Sequence, residues 1–135
     1  MHEEKAIVDR RKNKRCQIKG LAFVVMKSES TEQHGLMIDV SKGGLSCRYL
    51  EDKEISNTQI ALDIFYQNKR LLINVPSTII ADFVIPTIIS RSLLPMRRRN
   101  IQFGNLLANQ MIQLERLIYY ETTHLSVCEN IFSKN

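Results

Sequence analysis

Between residues 17 and 104, apolar and polar side chains alternate in short segments with the period of two that is typical of β-strands. Polar or glycine-containing turns separate these segments, so the pattern predicts a barrel or sandwich of antiparallel strands. The predicted strands cover residues 17–27, 35–41, 45–49, 59–66, 70–85 and 97–103. Pro76 lies inside the fifth of them and marks an edge, a bulge or a break between two strands, because proline cannot donate a hydrogen bond to a sheet.

The alternation also assigns side chains to the faces of the predicted strands. The run 21–26 is apolar throughout, which predicts a strand buried on both faces. In 35–41 the apolar residues Leu36, Ile38 and Val40 would share one face. Asp39 and Ser41 would then project side by side from the other face, just before a tight turn at Gly43-Gly44. In the last strand the residues that share a face are Arg97, Arg99, Ile101 and Phe103.

After residue 104 the apolar period becomes that of a helix. Apolar residues recur at Leu107, Met111, Leu114 and Ile118, with Leu117 and Leu125 beside this stripe. With Asn105 as the N-cap, the pattern predicts one amphipathic helix over residues 105–130. We expect its stripe to cover an open end of the barrel. The alternative is that part of the helix forms a dimer or partner surface, so monomer and homodimer both stay open.

The composition is that of one globular domain, since the 135 residues are 44% hydrophobic and 24% charged, with five Gly and three Pro. Residues 1–16 have no sustained apolar pattern and predict a flexible arm before a barrel at 17–104. Cys16, Cys47 and Cys128 are widely spaced, which predicts neither disulfides nor a zinc site. No apolar run approaches the roughly 20 residues that span a bilayer, and the N-terminus opens with acidic residues. We therefore expect a cytoplasmic protein without a membrane span.

The net charge of +5 is concentrated in two basic clusters, residues 10–15 and residues 97–99. Basic clusters favour anionic partners such as phosphates, nucleic acid or an acidic membrane surface, and charge alone does not choose among these. The three histidines are isolated from one another and from carboxylates at catalytic or metal spacing. We therefore expect neither an enzyme nor a metal site.

Two short motifs stand on either side of the first predicted strand. Arg11 and Arg15 form an R-x-x-x-R motif in the arm, and Asp39, Ser41 and Gly44 form a D-x-S-x-x-G motif at a strand end. Each motif alone is common, since basic runs are often solvated tails and Asp or Ser before Gly-Gly often makes a turn. Their order is informative: the arm motif, one strand, the second motif, then more strands and a closing helix. This combination resembles the PilZ domain family over residues 10–118, and 99–104 is similar to the last strand of that family.

The resemblance implies a mainly β fold: a six-stranded antiparallel split β-barrel with a flexible basic N-terminal arm and one C-terminal α-helix, the PilZ domain covering residues 10–120. It also implies the family's ligand, the bacterial second messenger cyclic di-GMP, and no cofactor or metal. The implied ligand contacts are Arg10, Arg11, Arg15, Asp39, Ser41, Gly43 and Gly44, with Arg99 as a further candidate. Arg10 resembles the family position that influences whether one ligand or an intercalated pair is bound, and an arginine there favours the pair.

The chemistry of guanine agrees with these residue types. Arginine donates two N–H hydrogen bonds to O6 and N7 of guanine, and a carboxylate such as that of Asp39 accepts hydrogen bonds from guanine N1 and N2. Ser41 would add a hydroxyl contact, and Gly44 would let the backbone approach the base or adopt a positive φ. An arm that becomes ordered on the ligand would change shape on binding, as a switch requires.

The expected function is therefore a cyclic di-GMP receptor or adaptor that changes the conformation of its arm. With no second domain in the sequence, we expect it to act in trans on a protein partner, with motility, pilus, biofilm or secretion as the output. One alternative is a PilZ-like interaction domain that does not bind the nucleotide. Another is a basic nucleic-acid-binding β-barrel, which the lack of tryptophan and the 7% aromatic content disfavour, because single-strand binders stack bases on aromatic side chains.

Overall fold

The chain forms a closed antiparallel β-barrel followed by one helix. The computed structural model describes residues 14–29, 31–50, 58–86 and 95–134. The elements in these ranges are β1 Cys16–Gln17, β2 Ala22–Ser28, β3 Thr31–Val40, β4 Gly44–Leu50, β5 Gln59–Tyr66, β6 Lys69–Val84, β7 Met96–Phe103 and α1 Ala108–Lys134.

Six of the strands close into a barrel. They follow the order β3-β2-β5-β6-β7-β4, and a further pairing of β3 with β4 completes the circle. All of these pairings are antiparallel, and the short β1 pairs with the last two residues of β3. The predicted mainly β architecture, a six-stranded antiparallel barrel with one C-terminal helix, is confirmed.

The barrel interior is filled by apolar side chains that alternate along the strands. Those with no exposed surface are Val24, Val40, Leu45, Cys47, Leu62, Ile64, Val75 and Ile101. Leu114 and Leu117 of α1 join the same core. This burial is the main favourable contribution to folding, at roughly 25 cal/mol per Å² of apolar surface removed from water.

The long apolar stretch around Pro76 is one continuous strand. Pro76 lies opposite Ala61 of β5, and the pairing of β6 with β7 begins only at the next residue, Ser77. The Pro76 carbonyl accepts a bond of 2.6 Å from the amide of Gly104, the residue that follows the end of β7. The nitrogen and the carbonyl of one strand residue face the same side, so the Pro76 ring nitrogen also faces the side of Gly104. Proline is tolerated there because no strand requires its missing N–H.

The predicted assignment of β2 and β3 residues to faces is wrong in part. The run 21–26 is not buried on both faces, since Leu21 is exposed and Phe23 is half-buried. In β3 the register against β4 shifts between Met37 and Asp39, so the strand bulges at the residue between them. Met37 and Val40 therefore both face the core, while Leu36 is exposed.

The helix begins later than predicted. The Met111 amide donates the first helical bond to the Leu107 carbonyl, so Leu107 and not Asn105 occupies the N-cap position. The Gln110 side chain accepts a bond of 2.9 Å from the Leu107 amide, as the N3 residue of a capping box does. The apolar stripe is also rotated from the predicted one, because Leu107 and Met111 are exposed while Leu117 is buried. Within the described residues, no helix is both long enough and apolar enough to cross a membrane.

Candidate functional site

The Asp39 carboxylate lies on the outer face of the barrel at the end of β3, where three donors meet it. Arg15 Nη1 donates to Asp39 Oδ1 over 2.8 Å, and Ser46 Oγ donates to the same oxygen over 2.9 Å. Arg98 Nη2 lies 3.4 Å from Asp39 Oδ2. The Arg15 and Asp39 side chains are 18% and 13% exposed, so this ion pair is partly shielded from solvent.

The two halves of the sequence motif therefore meet in space. Arg15 comes just before β1, and β1 pairs with the last residues of β3, which brings Arg15 beside Asp39 although 24 positions separate them. Arg10 and Arg11 lie outside the described residues. Their roles and the predicted flexibility of residues 1–13 stay predictions.

The turn after β3 is closed by its own hydrogen bonds. The Ser41 amide donates to the Gly44 carbonyl over 2.8 Å, and the buried Ser41 hydroxyl accepts a bond of 3.2 Å from the Gly43 amide. Because β3 ends at Val40, Ser41 does not continue the strand face, and its hydroxyl stabilises the turn instead of standing beside Asp39. The predicted side-by-side arrangement of these two side chains is wrong for that reason.

Gly44 is required by close packing against β7. A Cβ atom at this position would lie 2.2 Å from the Ile101 carbonyl oxygen, closer than any side chain tolerates. Its φ is not positive, so the sequence-based argument from a left-handed turn does not apply. The glycine lets β4 and β7 approach closely enough to form one wall of the site.

A pocket of about 400 Å³ opens beside this turn. It is lined by Arg15, by the turn residues 41–44 and by residues 101–104 at the end of β7. Within the described part of the chain, Arg15 Nε is buried and has no hydrogen-bond partner, although its Nη1 is paired. The pocket thus contains an arginine whose bonding capacity is only partly used.

Arg99 lies elsewhere. Its side chain has no exposed surface and points into the barrel, where Nη2 donates to Asp82 Oδ2 over 2.9 Å and also contacts the Tyr49 hydroxyl. Arg97 Nε donates to the other oxygen of Asp82 over 3.1 Å. Burial alone would raise the pKa of the Asp82 carboxyl, but the bonds from Arg99, Tyr49 and Arg97 lower it. The structure does not bring Arg99 to the pocket beside Asp39, and its role there is not supported.

Asp39 and its three donors Arg15, Ser46 and Arg98 form the Asp39 cluster. The last two of these donors were not identified from the sequence. Arg98 Nη2 donates to Ser46 Oγ over 3.1 Å as well as to Asp39. The strand alternation contained part of the necessary information, since Arg97, Arg99, Ile101 and Phe103 were predicted to share one face and Arg98 must then point to the opposite face. The contact of Ser46 with Asp39 could not be inferred from the sequence pattern, because it depends on the pairing of β4 with β3, which places these two residues opposite each other.

The segment that follows β1 is fastened to the helix by a buried carboxylate. Glu121 of α1, which is 4% exposed, accepts a bond of 2.9 Å from the Lys19 amide and one of 2.5 Å from the Tyr66 hydroxyl. Burial and the bond to Glu121 raise the pKa of the Tyr66 phenol. A Cβ atom on Gly20 would lie 2.7 Å from Glu121 Oε2, so glycine makes room for this contact. The residues just after Arg15 are therefore held in place by α1.

Comparison with known proteins identifies the fold. No model of a known protein family matches the sequence, and no curated protein sequence matches it. The solved PilZ domain of YcgR from Escherichia coli with c-di-GMP matches with a TM-score of 0.68 and 17% identity, over 90% of this chain and 98% of that one. This chain has the fold of a PilZ domain, so the resemblance seen in the sequence is confirmed at the level of the fold.

Two longer proteins match in the same way. MrkH of K. pneumonia, in complex with c-di-GMP, has a TM-score of 0.70 and 11% identity, over 87% of this chain and 55% of that one. The Bacillus subtilis inhibitor of motility MotI/DgrA has a TM-score of 0.64 and 16% identity, over 86% of this chain and 52% of that one. The present chain thus spans about half the length of each of these two proteins.

Proposed function

We propose that this protein is a cyclic di-GMP receptor whose ligand binds beside the end of β3, between the turn 41–44 and the arginines of the N-terminal arm. The observation that carries the proposal is the contact of Arg15 with Asp39 next to the pocket, because it joins the two motifs at one place on the barrel. The solved PilZ structures with c-di-GMP that share the fold support the choice of ligand.

Binding would exchange partners at the Arg15–Asp39 ion pair. In the described structure Asp39 Oδ1 already accepts two bonds and Oδ2 accepts one, so the carboxylate can accept from both guanine N1 and N2 only if a donor leaves Oδ1. Arg15 is the donor that would move, since a phosphate or the O6 and N7 edge of guanine can replace Asp39 as its partner. Arg10 and Arg11 would close over the ligand, and Gly43 and Gly44 would offer backbone contacts.

This exchange makes the arm the moving part. Breaking one ion pair and ordering the arm both oppose binding, so the affinity should be moderate for the number of contacts made. We propose that the rearranged arm is recognised in trans by a protein partner in the cytoplasm, with motility, pilus, biofilm or secretion machinery as the output. We propose no catalytic step, and monomer and homodimer both remain compatible with this function.

Isothermal titration calorimetry tests the proposal. Cyclic di-GMP should bind, and cyclic di-AMP should bind far more weakly because adenine lacks the O6 acceptor. Arg15→Ala removes a charge-assisted contact and should cost on the order of 1.5–3 kcal/mol of binding free energy. Arg116→Ala, which removes the same charge from an exposed position on α1, is the matched control and should bind as the wild type does.

The titration also separates the alternatives. An absence of binding heat with cyclic di-GMP at high micromolar concentration would reject the receptor and leave an interaction domain that does not bind the nucleotide. Binding of single-stranded DNA or RNA that is sequence-tolerant and collapses with added salt would instead indicate a nucleic-acid-binding protein. Equal affinities of the Arg15→Ala and Asp39→Ala variants and the wild type would show that the site lies elsewhere.

A further inference from the structure

Of the three consecutive arginines in β7, Arg97 and Arg99 are buried, and Arg98 has its side chain on the outer face of the barrel, beside Asp39. Its Nη2 group bridges Asp39 Oδ2, at 3.4 Å, and Ser46 Oγ, at 3.1 Å. Arg98 of β7 lies directly opposite Arg48 of the neighbouring strand β4, and two like charges opposite each other on a sheet repel. Because Asp39 is the anion that lies against Arg98, it compensates for this repulsion.

Asp39 needs a cation that stays when Arg15 leaves. Its side chain is 13% exposed, and a partly buried carboxylate loses hydration that its partners must replace. If Arg15 turns toward a ligand, Ser46 supplies one hydroxyl donor and Arg98 supplies the remaining positive charge. Arg98 is well suited to this task, since β7 is paired on both sides in the barrel and carries its side chain on a fixed element.

We propose that Arg98 is a positioning residue of the binding site, which holds the Asp39 carboxylate in place while Arg15 engages the ligand. The inference rests on the proposed function for its ligand, and it assigns to Arg98 no direct contact with the nucleotide. Its consequence is that the site uses arginines from two different elements for two tasks. The arm arginines bind the ligand, and the β7 arginine orients the carboxylate that recognises it.

Calorimetry with cyclic di-GMP on four variants tests the role of Arg98. Arg98→Ala should weaken binding about tenfold, the loss of one charge-assisted hydrogen bond at a partly exposed site. Arg98→Lys should recover part of the affinity, because it keeps the charge and loses the forked geometry. Arg48→Ala removes the neighbouring exposed arginine and should change the affinity less than twofold, which controls for the general loss of positive charge. Asp39→Asn provides the background in which the mechanism is decided.

The combined variant separates positioning from direct contact. If Arg98 acts through Asp39, Arg98→Ala should cost less than a further twofold in the Asp39→Asn background. The same tenfold loss in both backgrounds would show that Arg98 contacts the ligand itself and would overturn the proposal. An unchanged affinity of Arg98→Ala, in a protein whose wild type binds, would also overturn it while leaving the receptor function intact.

A measurement without ligand keeps the two proposals distinct. In urea unfolding, Arg15→Ala and Arg98→Ala should each lower the midpoint slightly, because each leaves Asp39 with the other arginine. The double variant should lower the midpoint by more than the sum, because Asp39 then keeps no cation among its described partners. Simple additivity would contradict the shared hold on Asp39. A wild type that fails to bind cyclic di-GMP would reject the receptor function and, with it, the part of the inference that concerns the ligand.

Discussion

Glu121 connects α1 to Lys19 and Gly20, which follow β1, and its replacement by leucine tests how much these contacts stabilise the fold. The carboxylate is 4% exposed, and the described contacts satisfy it with neutral donors: the Lys19 amide at 2.9 Å, the Tyr66 hydroxyl at 2.5 Å and the Gly20 amide at 3.4 Å. Leucine removes the acceptor and leaves these donors in place. An unsatisfied buried donor costs about 1–3 kcal/mol.

The magnitude follows from counting the donors that lose their partner. The Gly20 bond is long and contributes little, so two donors count, and their combined cost is about 2–6 kcal/mol. Relief from burying a carboxylate offsets part of this cost, which places the expected loss near the lower half of that range. For a domain of this size the midpoint of thermal unfolding should fall by roughly 10 °C.

Circular dichroism melts of three variants provide the assay. Glu121→Gln is the matched control, because its amide oxygen still accepts from the Lys19 amide and its nitrogen can donate to the Tyr66 oxygen. It should lose less than half as much stability as Glu121→Leu. Tyr66→Phe removes one donor and should fall between the wild type and Glu121→Leu. If Glu121→Leu melts at the wild-type temperature, the Lys19 amide and the Tyr66 hydroxyl find other partners, and Glu121 does not stabilise the fold through these bonds.

Two further predictions concern the site wall and the buried ion pairs. Gly44→Ala places a Cβ atom 2.2 Å from a β7 carbonyl oxygen and should lower the unfolding free energy by about 2–4 kcal/mol. The control variant Gly43→Ala should cost less. Equal urea midpoints for the two variants would contradict the close approach of β4 to β7 at Gly44. The pKa of Asp82 is lowered in the folded state, so its contribution to stability is complete above the unfolded value of 3.8 and is lost as the pH falls from there through the lower folded pKa. Asp82→Asn should make the unfolding free energy less dependent on pH in this acid range. It should also be destabilising by about 3–5 kcal/mol, because Arg99 loses its buried counter-ion. An unchanged pH dependence would assign the loss of stability in acid to other carboxyl groups.

The strand alternation predicted the barrel well, because each strand has one face in the core and this leaves a period of two in the sequence. The prediction failed where a local irregularity shifts that period. The bulge between Met37 and Asp39 puts two residues three positions apart on the core face, and no feature of residues 35–41 marks it in the sequence. The bulge arises from pairing with β4, which is a long-range property.

The helix shows a different limit of the sequence pattern. Leu107 and Met111 fit a helical stripe as well as Leu114 does, but the helix packs through the turn that contains Leu114 and Leu117. The buried Glu121 lies on that same side, and a pattern of apolar residues cannot identify a carboxylate as part of the core. Its place there depends on the Lys19 amide and on Tyr66, whose proximity only the folded barrel creates.

The Asp39 cluster could be anticipated in part. The two motifs predicted that Arg15 and Asp39 belong to one site, and the structure joins them. The sequence did not reveal that the Ser41 hydroxyl and Gly44 serve the turn and the packing of β7, because those roles depend on the partner strand. It also did not reveal Arg98, since a run of three arginines suggests one basic patch until the alternation divides it.

That division also bears on the choice between a nucleotide receptor and a nucleic-acid-binding barrel. The second basic cluster does not form a continuous surface, since Arg97 is 5% exposed, Arg99 is fully buried, and both donate to Asp82. Arg98 is half-buried and lies against Asp39. A nucleic-acid surface requires exposed cations that can release counter-ions from phosphates, and these arginines are already occupied by carboxylates. The salt dependence of any anion bound here should therefore reflect the arm and the few residues around the pocket, as expected for a small nucleotide held by a local site.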